Sequence, residues 1–336
     1  MKKLKRIFAV FFCLLLASGI LGSCGKAASS SAPAPSASQS GSKPLKIVTT
    51  IFPEYDWVRE ILGDNADHAE VTMLLDNGVD LHSYQPTADD IIKISDCDLF
   101  LYVGGESDGW VEDALKEATN KDMQVINLLD ALGEQVKEEE VVEGMEAEEE
   151  ESEDEDEPEY DEHVWLSLKN AETLCNAITD ALEEIDPANK DAYAANAASY
   201  LEKLAALDGE YQTMVDNAAR KTVLFGDRFP FRYLVDDYGL SYYAAFAGCS
   251  AETEASFETI SFLAGKVDEL GLPCVLTIEG AQHKIAETIV QNSAAKNQSI
   301  LTLDSMQSTT SADAANGTTY LSVMESNLDV LKQALN

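Results

Sequence analysis

Lys46-Ile47-Val48-Thr49-Thr50-Ile51-Phe52-Pro53 is a run of apolar and β-branched residues that closes on a proline. A strand covered on one side alternates apolar with polar residues, so a nearly unbroken run predicts a strand buried on both faces. Pro53 lacks an N–H and has a fixed φ, which suits the first turn of a helix. Trp57, Val58, Ile61 and Leu62 follow at the spacing of one helical face, and Gly63-Asp64 ends the helix. A buried strand that feeds directly into a helix is the repeating unit of a parallel sheet.

The alternation continues on the C-terminal side. Ala69 to Leu75 reads as a second strand and Asp76 to Thr87 as a loop. Thr87-Ala88-Asp89-Asp90 starts a helix ahead of Ile91, Ile92 and Ile94. A strand at 99–103, a helix at 110–118 and a strand at 124–128 follow. Helix resumes at 168–185. Asp186-Pro187 then opens a longer helix to Arg220, in which Gly209 is the one glycine; about 30 residues would span about 45 Å. Beyond it come strands at 222–225, 242–246, 274–278 and 299–303, with helices at 231–238, 258–270, 282–294 and 319–335. The predicted fold class is α/β. Two parallel-sheet domains, 45–185 and 221–336, are joined by a linking helix at 186–220, which frames a ligand cleft between them.

The N-terminus predicts export. Lys2, Lys3, Lys5 and Arg6 precede an apolar run from Ile7 to Leu21, too short for a membrane span. Leu21-Gly22-Ser23-Cys24 is similar to a bacterial lipobox, which implies a signal peptide at 1–23, cleavage before Cys24, and acyl chains on Cys24 that hold the protein to a membrane. Residues 25–43 are Ala, Ser, Pro, Gly and Gln with little else, a flexible tether across 24–44. Cys97, Cys175, Cys249 and Cys274 remain as small buried residues or one bridge.

The net charge is −38, from 61 acids against 23 bases, which excludes nucleic acid as a partner. Between Glu134 and Glu162 there are 18 acids and the single base Lys137. This composition predicts a solvated, disordered loop that concentrates divalent cations.

The chain has 4 histidines: His68, His82, His163 and His283. His82 lies in Gly78-Val79-Asp80-Leu81-His82-Ser83-Tyr84-Gln85-Pro86-Thr87, a loop leaving the carboxyl end of a strand, where ligands of parallel sheets bind. His163 lies in Asp161-Glu162-His163-Val164-Trp165-Leu166, where the acidic segment re-enters the fold, and neighbouring carboxylates can orient its ring. His68 reads as a surface residue, and Glu279 with His283 as a surface pair. No HExxH or GxSxG sequence occurs, so nothing marks an enzyme.

Gly-x-Asp-x-His-x-Tyr-x-Pro-Thr followed by Asp-x-His-x-Trp-Leu resembles the solute-binding lipoproteins of zinc and manganese ABC transporters, the cluster A-I metal-binding family. The resemblance runs through the long helix to Leu303-Asp304-Ser305, Tyr320 and Asn327-Leu328. It implies two α/β domains bridged by a rigid helix, a divalent ion held between them, a membrane permease as partner, and capture of zinc, with manganese the alternative. The acidic surface and tether predict a monomer.

Carried over by position, the resemblance makes His82, His163 and Asp304 metal ligands. At the third family position, Asp227-Arg228-Phe229-Pro230-Phe231-Arg232-Tyr233 puts Arg228 where zinc members have histidine and manganese members glutamate. A guanidinium has no lone pair to offer. Asp227 or Glu279 can replace the missing ligand, or the ion can keep a water. Arg228 can instead pair with one of those two acids. An adhesin-like lipoprotein with an altered site is a further alternative. Cys249, in an acidic turn that would line the cleft, reads as a core or bridge residue.

Overall fold

The computed structural model describes residues 43–146, 159–250, 254–280 and 282–336. The signal peptide, Cys24 and the tether up to residue 42 lie outside the described residues, as does the middle of the acidic segment, 147–158. Among the described residues, no helix is long and apolar enough to cross a membrane.

β1 (Leu45–Thr49) lies inside a four-stranded parallel sheet. β2 (Ala69–Met73) and β3 (Leu99–Tyr102) pair on either side of it, and β4 (Gln124–Asn127) completes the order β2-β1-β3-β4. Successive residues Ile47, Val48 and Thr49 are all buried, as a strand covered on both faces requires. The chain turns from β1 into α1 (Phe52–Leu62) with Pro53 in the first turn. The buried carboxylate of Glu54 accepts hydrogen bonds from the Thr50 N–H at 2.7 Å, the Thr50 hydroxyl at 3.1 Å and the Ile51 N–H at 3.3 Å. That cap satisfies donors which burial would otherwise leave unpaired.

α2 (Ala88–Ser95) is capped by Thr87, whose hydroxyl accepts the Asp90 N–H while Asp90 accepts from Thr87. α3 (Val111–Lys116) and α4 (Leu128–Leu132) complete the first half. α5 (Leu168–Ile185) then packs against α6 (Lys190–Asn217). With 28 residues, α6 spans about 42 Å at 1.5 Å per residue. It starts at Lys190 rather than at Asp186, because Asp186 accepts from the Asn189 side chain and the Tyr193 hydroxyl and so holds the turn.

The second half contains β5 (Thr222–Leu224), β6 (Arg228–Phe229), α7 (Arg232–Tyr238), β7 (Ser241–Tyr243) and β8 (Phe246–Ala247). It continues through α8 (Phe257–Leu270), β9 (Cys274–Thr277), α9 (Lys284–Asn292), β10 (Ser299–Thr302), α10 (Ser311–Ala315) and α11 (Tyr320–Ala334). β5 pairs with β7, β6 with β8 and β9 with β10, all in parallel, and a Phe225–Leu276 bridge joins β5 to β9. The strand expected at 242–246 is therefore two short strands. The chain shifts from one neighbour to the next there: Phe225 N–H donates to Tyr243 O and Ala245 N–H to Asp227 O.

One apolar core runs through both halves. The Trp57 and Tyr320 rings meet edge-on with centroids 5.1 Å apart. Asn196 on α6 donates to Ile61 O at the end of α1, and Tyr211 further along α6 donates to Met324 O on α11. Residues Pro44–Asn336 accordingly form a single compact unit.

The acidic segment departs from the disorder expected over its whole length. Its first part is folded onto the second half: Glu146 N–H donates to Ala245 O, and Met145 is buried. Gly144 has φ +83°, and a Cβ there would lie 2.0 Å from the Phe262 ring. The end of the segment is also paired, through a Glu138–Tyr160 bridge and the Asp161 N–H to Lys137 O. Val142 and Met145 supply apolar contact that the charge count hides.

Candidate metal centre

His82 sits on a short 3-10 turn, Leu81–Ser83, in the loop after β2. Asp80 caps that turn, its Oδ1 accepting the His82 N–H at 3.0 Å. His82 Nδ1 is 2.8 Å from Ser107 Oγ and 3.4 Å from Glu162 Oε2. His163 is fully buried where the chain re-enters before the 3-10 turn Val164–Leu166. Its N–H and its Nδ1 both meet Asp161 Oδ1, at 2.8 and 3.0 Å. A carboxylate only accepts, so Nδ1 of His163 carries the proton and Nε2 keeps its lone pair. The Ser107 hydroxyl and the Glu162 carboxylate lie behind the His82 ring at Nδ1 and set its orientation. Carboxylates placed behind ligating imidazoles fix their orientation and raise their basicity.

The two Nε2 atoms face each other 3.2 Å apart. A tetrahedral ion bonded to two imidazole nitrogens at about 2.05 Å would hold them about 3.3 Å apart. The pair is therefore at the spacing one zinc-sized ion requires. Burial above all, then the neighbouring His163 and Arg228, pushes the His82 imidazole down to about 3, so it stays neutral and able to coordinate.

The acids from the second half are arranged differently. Glu279 accepts from Ser305 N–H at 2.7 Å on one oxygen, and from the Ser305 hydroxyl at 2.8 Å and Gln307 N–H at 3.0 Å on the other. Asp227 accepts the Arg228 N–H and, at 3.3 Å, the Ile278 N–H. Asp304 accepts the Met306 N–H at 2.8 Å through Oδ1, and its own N–H and C=O are clamped by the Asn327 amide. Burial, reinforced by Glu279, raises the Asp304 carboxyl to about 6.

Arg228 pairs with Asp80, neither with Asp227 nor with Glu279. The expected partner is corrected for a simple reason: both of those acids already hold backbone N–H groups of their own half, whereas Asp80 has an oxygen free opposite the guanidinium. The Gln307 amide also donates to Asp80. Arg228 thus reaches across to the residue that positions His82.

Among the described residues, the atoms that come together as a possible metal-ligand group belong to His82, His163 and Cys249, all within 4.8 Å of one another. None of Asp304, Glu279 and Asp227 joins it. His68 is exposed, and His283 stands just before α9 without a side-chain cap, with Gly280 at φ +137° breaking any helical turn shared with Glu279. All four cysteines of the described residues are free. Sequence reasoning missed Ser107, Asp80 as the partner of Arg228, and Cys249 as a neighbour of both histidines. For Cys249, the one local signal was its position in the acidic turn.

Two α/β halves spanned by one long helix, with imidazole nitrogens converging where loops of those halves meet, define a helix-bridged solute-binding protein. As the two histidine motifs implied, the chain belongs to the family described as zinc-uptake complex component A, periplasmic (ZnuA), whose model matches residues 47–334. It is 33% identical over 292 residues to the zinc-binding lipoprotein AdcA of Streptococcus pneumoniae, covering 86% of this chain and 55% of that protein. The chain thus spans about half the length of AdcA. The high-affinity zinc uptake system protein ZnuA of Bacillus subtilis is 32% identical over 337 residues, covering 99% and 98% of the two chains. The crystal structure of the Zn(II)-bound ZnuA-like domain of S. pneumoniae AdcA matches with a TM-score of 0.67 at 30% identity, over 87% of this chain and 99% of that domain.

Proposed function

We propose that this protein is an extracytoplasmic, Cys24-anchored binding protein that captures a zinc ion between His82 and His163 and passes it to the membrane permease of an ABC importer. The observation that carries this reading is the pair of Nε2 atoms 3.2 Å apart, each ring held from behind at Nδ1. Zinc suits a site built on neutral imidazoles, and the similar AdcA of S. pneumoniae and ZnuA of B. subtilis are both named for zinc. The protein acts as a monomer that binds and releases rather than as an enzyme, with the long helix α6 holding its two α/β domains nearly fixed. The docked acidic segment beside the site draws cations toward it. Asp304, whose Oδ1 holds the Met306 N–H, is the carboxylate best placed in sequence to join the ion when the loops adjust.

The test is isothermal titration of metal-stripped protein with zinc and manganese side by side. Tight one-to-one zinc binding, much tighter than manganese, supports the reading. Preference for manganese shifts the cargo to that metal. Failure of both ions to bind sinks the transport proposal and favours an adhesin-like role.

A further inference from the structure

We propose that Cys249 supplies the third protein ligand to the ion, in place of the side chain that Arg228 displaces, giving a His2Cys site that favours soft borderline metals over manganese. This inference rests on the metal-binding reading above and adds to it the identity of the third ligand and the basis of selectivity.

Three observations converge. The thiol lies beside both histidines, with the three ligand atoms within 4.8 Å of one another. For an ion with Zn–N bonds of about 2.05 Å and a Zn–S bond of about 2.3 Å, nitrogen and sulfur sit about 3.6 Å apart, so the sulfur needs to close by no more than about 1.2 Å. The main chain is shaped to bring residue 249 there. Gly248 passes so close that a Cβ would come within 3.1 Å of the His163 ring and 2.9 Å of Phe229 O. Only glycine admits that approach, and the cysteine follows it directly. Glu139 Oε1 then accepts the Cys249 N–H at 3.1 Å and anchors the residue from the docked acidic segment.

The alternatives are committed elsewhere. Arg228 is paired with Asp80, both oxygens of Glu279 hold the Ser305–Gln307 turn, and Asp227 holds two N–H groups. Like Cys97, Cys175 and Cys274, Cys249 forms no disulfide, but those three are buried and none belongs to a metal-ligand group among the described residues, whereas Cys249 is partly exposed beside the histidine pair. When the Zn–S bond forms, the S–H bond breaks and the proton leaves to solvent, one proton per ion bound. A thiolate is a soft donor that zinc and cobalt accept readily and manganese poorly.

The experiment uses cobalt(II) as a spectroscopic stand-in for zinc, on the metal-stripped full-length protein. A thiolate ligand produces a sulfur-to-cobalt charge-transfer band in the near ultraviolet. The band is expected in the parent protein and absent from Cys249→Ser, with zinc affinity falling roughly 10- to 100-fold in that variant and manganese affinity unchanged within about three-fold. Zinc should also protect Cys249 from alkylation, located by peptide mapping, and this needs no variant. Tight cobalt binding without the band, or C249S binding zinc like the parent, overturns the cysteine proposal while leaving the zinc reading intact. If the parent binds neither zinc nor cobalt, the metal-binding reading itself fails, and this proposal fails with it.

Discussion

The two walls of the site carry similar residues in different states. On the first-half wall, His82 and His163 are held at Nδ1 and turn their Nε2 atoms toward each other. On the second-half wall, Asp227, Glu279 and Asp304 have the chemistry of metal ligands, yet each spends carboxylate oxygens on backbone N–H groups that hold its own turn. The difference shows that donor type is only half of a metal site. A side chain becomes a ligand when its donor atom is left over after the fold has used what it needs.

Four substitutions test that contrast. The largest effect is expected from His163→Ala, which removes one of two converging nitrogens and should weaken zinc binding about 100-fold or more by titration. A change under five-fold would show that the imidazole pair is not the site. Next, Glu279→Ala should cost about 2 kcal/mol of folding stability, because it leaves the Ser305 and Gln307 donors unpaired. Its zinc affinity should stay within about three-fold. A stable variant that had lost zinc would make Glu279 a ligand and erase the difference between the walls.

Arg228→Ala sharpens the comparison from the opposite direction. The guanidinium lies close enough to His82 to disfavour a positive charge there, and an incoming cation feels the same field. Its removal also leaves Asp80 with an unneutralised negative charge, so zinc affinity should rise several-fold, about 1 kcal/mol, with a stronger dependence on salt. A fall would mean that Arg228 matters chiefly by steadying Asp80 and the His82 turn.

The smallest effect on the site is expected from Glu54→Gln, a carboxylate committed in the same way at the start of α1. Burial raises the Glu54 carboxyl from 4.5 to about 8. A raised carboxyl pKa means that the folded state holds the proton longer than the unfolded state, so stability falls as pH rises from 4.5 toward 8. The variant should lose that slope in thermal melts across this window, with zinc affinity at neutral pH unaltered. An unchanged slope would place the pH dependence on Asp56 or Asp108, whose carboxyls burial raises to about 7.

Much of the fold was legible in the chain itself. Apolar runs without alternation, each entering a helix, can be covered only from both faces, so Ile47-Val48-Thr49 and Leu99-Phe100-Leu101 imposed a parallel sheet. The pattern of α6, with one glycine in its length, marked it as a continuous helix. His82 and His163 were found because each lies in a motif whose neighbours share the work: Asp80 caps the turn of one and Asp161 orients the ring of the other, two residues before each histidine.

What the sequence by itself determined, then, were the features whose causes lie within a few residues: strand and helix type, the caps, and the two histidines with their local acids. Tertiary structure alone decided which donors remain free. Arg228 and Asp80 are 148 positions apart, His163 and Cys249 lie on different segments, and the acidic stretch docks through Met145 and Gly144 against a helix more than a hundred residues later. Local spacing carries no record of such pairings. They follow from the packing of the two halves against α6, which brings the distant loops together and lets each acid find the nearest unpaired N–H or cation before any metal arrives.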